Sequence, residues 1–583
     1  MLSDRLKNFH RGIDSAKSAK SRQEASVRLA RSKRAEMMNK RRAAISETPA
    51  AAVVPECTEL PTELSLAHLS IYVQAMQGSN VDVMVAATAS VRRLLSKDNK
   101  PPVDEVLAGG AGPVLVRLLG HPDQRVVFEA AWCITNIAST EHTSKVVELG
   151  AIPALVALLR SPHANVREQV IWCLGNVVGD GPTYRDMLLD TPDCVAALTL
   201  NIQAPANVSL LRNATWAMSN FCRGKPKPDP AKLGSVLGVL VGLLRSSDKD
   251  VLADALWGLS YLTDGSITFS GQLIGMEGAL SCLVDSLRHE RSGVVIPALR
   301  TIGNIVSGDD DQTEALIDAG CLGPMAKLVS SDKRNIRREA CWAASNIAAG
   351  TKDQIGRLVH TPSMMANVQE QARVDEWFVR REAAWVISNV ANSGKPIDVA
   401  AMVEGGVFES IVALLNSKEP KTCRLMLDAL GDIFSKGSVL GRLEGWLLRF
   451  EEADGLEAVD DLQSHENSDV YEASTRLAEA YLAEDDEDDE AEVANPFGET
   501  AMVPAPTATH QTFGAAPAFG QATTAFNTAP AGTPGKPAAA AANPFGAASG
   551  AGFGGAAFGA APAAAPVASA PAGAFSFAGA TFQ

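Results

Sequence analysis

Tryptophan and asparagine stand four residues apart at five places in this chain: Trp132/Asn136, Trp172/Asn176, Trp216/Asn220, Trp342/Asn346 and Trp385/Asn389. On a helix that spacing puts both side chains on one face. An indole face attracts a cation and also covers the methylene stem of Lys or Arg. A primary amide donates to a peptide carbonyl and accepts from a peptide N–H, so it can grip an extended chain without reading its side chains. The combination suits an extended, basic peptide. Asn is a mediocre helix-interior residue, so its recurrence asks for a reason. The plainer alternative makes Trp a core residue and Asn a buried hydrogen-bonding spacer, which need not recur as Trp-x-x-x-Asn at one register.

These pairs sit inside one repeated phrase. EAAWCITNIAS at 129–139 is followed by QVIWCLGNVVG, NATWAMSNFCR, DALWGLSYLTD, PALRTIGNIVS, EACWAASNIAA and EAAWVISNVAN, anchored at positions 132, 172, 216, 257, 300, 342 and 385. The spacings of 40, 44, 41, 43, 42 and 43 residues match the period of armadillo/HEAT-type helical repeats. Tyr261 and Arg300 interrupt the series, Tyr261 at an Asn position and Arg300 at a Trp position. Between anchors, phrases such as GAIPALVALL at 150–159 carry a Gly at a helix end followed by an apolar helix. One such unit cannot bury its apolar face alone, so neighbours stack into a superhelix with a continuous core. Segments 85–110 and 425–482 read as weaker flanking units. The segment 180–210 lacks the Gly-x-x-Pro phrase, which leaves its helix boundaries open.

Stacked helices lie roughly 8–10 Å apart and an extended chain advances about 3.3 Å per residue, so each repeat matches two or three ligand residues. Acids near the ladder, among them Glu129, Asp180, Asp254, Asp264, Asp310, Glu339 and Glu382, are candidates to complete the charge match.

The charge distribution agrees. The formal net charge is −15, yet residues 1–45 hold thirteen Lys/Arg against four Asp/Glu, so a head of +9 precedes a remainder of −24. An acidic body argues against nonspecific nucleic-acid binding and suggests basic partners, the head among them. Nine cysteines without a CxxC pair read as reduced core thiols of the cytosol or nucleus. No long uncharged apolar run and no signal-type N-terminus is visible, so no membrane partner is expected.

After an acidic run at 484–492, the chain from Ala494 onward contains one acid (Glu499) and one base (Lys536) in a background of Ala, Gly, Pro, Ser and Thr. Such a segment cannot offset its chain entropy and is expected to be disordered. Six Phe-Gly dipeptides punctuate it, at Phe497, Phe513, Phe519, Phe545, Phe553 and Phe558. Two of them belong to NPF triplets, Asn495–Phe497 and Asn543–Phe545, the form that EH-type endocytic adaptors bind.

An enzyme finds little support. GDG at 179–181 and GGAG at 109–112 lack a surrounding phosphate or dinucleotide fingerprint, and nine histidines show no HExxH spacing. No metal or cofactor is expected.

The phrases RLKNF at 5–9, VRLARSKRAEMMNKRR at 27–42, LLSKDNKPPVD at 94–104, FEAAWCITNIAS at 128–139, VLADALWGLSYLTDG at 251–265 and SHENSDVYEAS at 464–474 together resemble the importin alpha (karyopherin alpha) family of nuclear import adaptors. The resemblance covers about residues 1–482. It implies an all-α, armadillo-repeat, right-handed superhelical solenoid with two sites for nuclear localisation signals. The major site maps onto Trp132, Asn136, Trp172, Asn176, Asp180, Trp216 and Asn220, with Asp180 taking the critical lysine. The minor site maps onto Arg300, Asn304, Trp342, Asn346, Glu382, Trp385 and Asn389. The basic head matches the importin-beta-binding segment, and Lys40, Arg41 and Arg42 match the part that folds back into the groove as a mock signal. HENSDVYEAS and the acids after it resemble the docking surface for the export receptor that recycles the adaptor. The loop ASTEHTSK after Asn136 departs from the family, being a residue shorter and lacking its Gly, which implies a differently shaped lysine pocket. The Phe-Gly tail is foreign to the family and looks like a short nucleoporin-type repeat, with nuclear pore components as expected partners.

The expected organisation is a basic segment at 1–48, a linker at 49–70, about ten repeats at 71–482, an acidic run at 483–493 and a disordered tail at 494–583. The expected role is nuclear import, shuttling between cytoplasm and nucleus. A general armadillo scaffold for other partners is the alternative.

Overall fold

The computed structural model describes residues 59–96 and 101–482. Lys40–Arg42, the acidic run and the Phe-Gly tail lie outside them. Ten long inner helices carry the architecture: α1 (Val81–Leu95), α2 (Gln124–Ala138), α3 (Ala164–Asp180), α4 (Val208–Phe221), α5 (Lys249–Thr263), α6 (Ser292–Ile305), α7 (Arg334–Ala348), α8 (Trp377–Ser393), α9 (Pro420–Leu440) and α10 (Ser468–Tyr481). Each packs on the one before and the one after, and shorter helices in the connections cover the opposite side. In one repeat, Thr143–Glu148 and Ile152–Leu158 precede α3. The result is a one-dimensional stack of repeats, an armadillo-type solenoid.

Local chemistry sets the helix starts. Side chains of Asn80, Asp123, Asn207, Asp248 and Asn467 accept backbone N–H bonds at the N-termini of α1, α2, α4, α5 and α10, satisfying donors that have no intrahelical partner. The turn between the two shorter helices of a repeat needs a left-handed residue. Gly110, Gly150, Gly278, Gly320 and Gly406 supply it, with φ between 73° and 87°, a conformation open to a residue without Cβ.

Where the glycine phrase is missing, the turn persists. Asp193 adopts φ 66° between Pro182–Asp190 and Cys194–Gln203, and Ser363 adopts φ 64° in the equivalent place. Asp tolerates this region better than most residues, and Arg160 grips the Asp193 carboxylate through Nε at 2.5 Å and Nη2 at 2.6 Å. That hydrogen bond holds the Asp193 carboxyl below its ordinary range.

The ordered array begins before residue 71. A turn at Leu66–His68 and a helix at Leu69–Ala75 occupy part of the expected linker; the helix packs on α1, and Leu60, Leu69, Tyr72 and Met76 are buried. The described cysteines are free, and all but Cys282 are buried. Burial pushes the thiols of Cys173, Cys194 and Cys321 up to about 12, as unreactive core thiols require.

Candidate peptide-binding groove

The stacked inner helices bring the sequence-identified pairs into register. Trp132, Trp172 and Trp216 are buried on α2, α3 and α4, while Trp342 and Trp385 on α7 and α8 are half-buried. Asn136, Asn176, Asn220, Asn304, Asn346 and Asn389 are all buried on the same series of helices.

The asparagines have a structural task. Asn220 Nδ2 donates to the carbonyl of Gly175 at 3.1 Å, Asn304 to Ser260 at 2.8 Å, Asn346 to Gly303 at 3.4 Å and Asn389 to Ser345 at 2.9 Å. Each acceptor immediately precedes the rung position of the helix behind, namely Asn176, Tyr261, Asn304 and Asn346. Asn136 makes the corresponding link to the Arg92 carbonyl at 3.5 Å and also donates to Ser96 Oγ at 2.9 Å. The carbonyls of Ser260, Gly303 and Ser345 lie in the last turns of α5, α6 and α7; those of Gly303 and Ser345 also accept the backbone N–H of Ser307 and Ala349, so the Asn bond uses the second lone pair of the oxygen. The recurrence of Asn therefore has a packing cause as well as any ligand role. A primary amide has two N–H groups and an oxygen with two lone pairs, so one interhelical bond does not exhaust it.

At two rungs the residue before the Asn also seats the next indole. A Cβ on Gly175 would lie 2.3 Å from Trp216 Cζ3, and one on Gly303 would lie 2.1 Å from Trp342 Cζ3. Both glycines exist so that a Trp can lie against bare backbone. Gly303→Ala should therefore displace Trp342, costing about 1–3 kcal/mol and weakening peptide binding at the second groove. Gly323→Ala, with nothing within 4 Å of its new Cβ, should be neutral or slightly stabilising. Thermal midpoints of the two variants, with peptide titration of the first, check this contrast.

Arginines of the chain occupy two indole faces. The Arg92 guanidinium lies 4.3 Å from the Trp132 ring centroid, and Arg300 lies 5.2 Å from that of Trp257. Arg92 Nε donates to Glu129 at 2.5 Å, and Arg300 Nη2 to Glu339 at 3.0 Å. Arg338 also pairs with Glu339, at 2.9 Å. Glu129 and Glu339 were candidates to meet a ligand cation; instead they balance the chain's own arginines. Burial raises the Glu129 carboxyl against the opposing pull of Arg92. Tyr261 stacks on Trp257 at 5.7 Å, so an internal Trp–Arg–Glu assembly fills the middle of the ladder.

Of the remaining acids, Asp180 and Asp264 are exposed at the C-terminal ends of α3 and α5, whereas Asp254 and Glu382 are buried. The loop after Asn136 closes on hydroxyls rather than on a glycine. Ser139 Oγ donates to the Asn136 carbonyl at 2.7 Å, Thr140 Oγ1 to that of Ile137 at 2.8 Å and Thr143 Oγ1 to that of Ala138 at 3.2 Å.

An eighth rung was not anticipated. Asp428 and Asp432 on α9 follow Trp385 and Asn389 by 43 residues each, and Asn392 Nδ2 donates to Asp432 at 3.2 Å. The period alone, carried one step further without requiring Trp, would have found them. Among the described residues no cluster of His, Cys, Asp and Glu could hold a metal ion, and no single helix is long and apolar enough to cross a membrane.

Models of the armadillo/beta-catenin-like repeat match residues 99–139, 139–179, 235–264 and 309–349. An atypical armadillo repeat matches 445–496, reaching through the acidic run. Importin subunit alpha-1a of Oryza sativa subsp. japonica is 36% identical over 494 residues, covering 83% of this chain and 93% of that relative. The chain belongs to the importin alpha family. Importin subunit alpha-B of Dictyostelium discoideum is 38% identical over 497 residues, covering 83% of this chain and 94% of its own, and importin subunit alpha-3 of Arabidopsis thaliana is 35% identical over 496 residues, covering 83% and 93%. A crystal structure of an engineered protein superposes with a TM-score of 0.62 at 25% identity, covering 71% of this chain and 99% of its own. Each importin alpha relative is spanned almost end to end, so the membership extends over the repeat array as a whole.

Proposed function

We propose that this importin alpha family member is a non-enzymatic nuclear import adaptor that holds lysine- and arginine-rich localisation signals in two grooves. The major groove uses Trp132, Asn136, Trp172, Asn176, Asp180, Trp216 and Asn220. The minor groove uses Asn304, Trp342, Asn346, Glu382, Trp385 and Asn389, with Arg300 at its boundary. The observation that carries the reading is the registered stack of Trp/Asn helices, with the internal Arg92–Trp132 contact at its start and the Arg300–Trp257 contact at its middle, flanked by the exposed carboxylate of Asp180.

The basic N-terminal segment links the adaptor to importin beta, and its Lys40–Arg42 competes for the major groove until the receptor withdraws it. The C-terminal repeats and the acids after them dock an export receptor, which returns the protein to the cytoplasm. The Phe-Gly tail offers weak, exchangeable anchors to transport receptors or pore components.

Titrating a one-cluster and a two-cluster basic peptide against the chain tests the reading. The two-cluster peptide should bind about tenfold or more tightly through linked occupancy of both grooves. Equal affinity of both for the chain and for a variant with Trp342 and Trp385 replaced by Ala would remove the second groove from the proposal.

A further inference from the structure

The C-terminal ends of successive inner helices line up beside the groove, and one of them has the wrong charge for a basic ligand. α3 ends at Asp180 and α5 is followed by Asp264, both exposed. Between them, α4 runs into Arg223-Gly224-Lys225-Pro226-Lys227, with three cations in five residues. We propose that this loop is an anion subsite that reads an acidic or phosphorylated side chain in the same peptide whose lysine meets Asp180. The inference rests on the major-groove reading above.

The loop is a built element. Fully buried Arg185 donates Nη1 to the Arg223 carbonyl at 2.7 Å, and Asp186 holds its other nitrogens. Arg223 Nη2 donates to the Gly179 carbonyl at 2.6 Å, which fixes the start of the loop against the residue before Asp180. Gly224, at φ 112°, makes the bend, and buried Pro228 anchors the far end.

The two lysines are the accessible cations of the loop, both exposed. Among the described residues neither Lys225 nor Lys227 forms an ion pair. The acids close in sequence are engaged elsewhere: Asp186 with Arg185, Asp190 with Lys232, and Asp229 with the backbone N–H of Ala231. The Lys227 ammonium stands 3.5 Å from the place a Cβ on Gly265 would take, beside the end of α5. Although Lys227 is largely exposed, crowding by protein atoms pushes its pKa down further than Asp264 pushes it up. Asp264 is the acid that acts on Lys227, and a ligand anion would add a second countercharge that both lysines can share.

The geometry sets a register. A peptide running from Asp180 towards Asp264 passes the end of α4, one helix spacing from Asp180, which is two or three residues of extended chain at about 3.3 Å each. A lysine at that residue meets three like charges. A phosphoserine there brings close to two negative charges and three acceptor oxygens to mobile ammonium groups.

Fluorescence anisotropy on the full chain tests this, using one lysine-rich peptide with Ser, phosphoserine or Asp two or three residues from the lysine assigned to Asp180. The phosphoserine form should bind about fivefold or more tightly than the Ser form at low salt, with Asp intermediate and the gain shrinking as salt rises. The double variant Lys225→Gln/Lys227→Gln should hold the Ser peptide within about twofold of wild type and lose the preference. The subsite is overturned if the wild type shows no preference, if the double variant keeps it, or if phosphoserine moved to the peptide's far end gives the same gain. Failure of the groove reading is separable, since there the Ser peptide itself would not bind, or would bind Asp180→Lys unchanged; either result removes the subsite too.

Discussion

A lysine-rich peptide should bind Asp180→Lys about 30-fold or more weakly than wild type, a loss of about 2 kcal/mol, while the thermal midpoint barely moves. Asp180 is the last residue of α3 and is exposed. A carboxylate at a helix C-terminus faces the negative end of the macrodipole, where a lysine is favoured by about 0.3–1 kcal/mol. The substitution should therefore leave the repeat as stable as before, or slightly more so. A residue placed against its local electrostatic preference needs another reason to be acidic, and a ligand cation supplies one. Isothermal titration of a basic peptide, paired with a melting curve, gives both numbers from one preparation. Unchanged affinity would remove Asp180 from the site and favour a scaffold with other ligands. Trp172→Ala is a poorer test, because Trp172 is 2% exposed and its loss would cost about 3–5 kcal/mol of packing.

Deleting residues 1–45 should raise the apparent affinity for a basic signal peptide by about 100-fold. The deleted segment carries a net +9 and faces a remainder of −24. A tethered competitor acts at an effective concentration on the order of millimolar. If its own affinity for the groove is roughly 10 μM, the groove is free about one per cent of the time, and apparent affinity falls by that factor. The gain on deletion should shrink when Lys40, Arg41 and Arg42 are replaced by Ala in both proteins, since the competitor is then already disabled. Equal affinity of the intact and shortened chains would end the autoinhibition proposal and leave the groove itself untouched.

The repeat architecture was legible because its signals are local. The Trp-x-x-x-Asn spacing and the period of 40–44 residues are set within one helix and one repeat. Features that depend on stacking were not legible. Arg92 and Glu129 are 37 residues apart, and nothing in either phrase says that they meet over Trp132. The same holds for Arg300 and Glu339, which turned a candidate ligand contact into an internal ion pair. Nothing in the sequence around Gly175 and Gly303 says that the next indole lies against them. Asp193 and Ser363 hide a turn that glycine announces elsewhere, because a polar side chain can hold the same backbone conformation. Leu60 stands outside any periodic run, so its burial ahead of the first helix is not legible in the sequence. The rung of Asp428 and Asp432 was missed because the pattern was followed by residue type rather than by interval.

The inner helices pack one after another, several of the junctions fastened by an Asn-to-carbonyl bond, like the links of a surveyor's chain. Small errors at independent links add as the square root of their number, so two points on the array are held less sharply the more links lie between them. From α2 to α4 there are two helix junctions, and from α4 to α7 there are three. Residues of one basic cluster are thus gauged closely, whereas the interval between clusters is gauged loosely. A ligand occupying both grooves needs slack in its connecting stretch. Surplus length is inexpensive, since each doubling of a flexible loop costs only about 0.6 kcal/mol. A connection too short to span the interval forfeits one cluster outright.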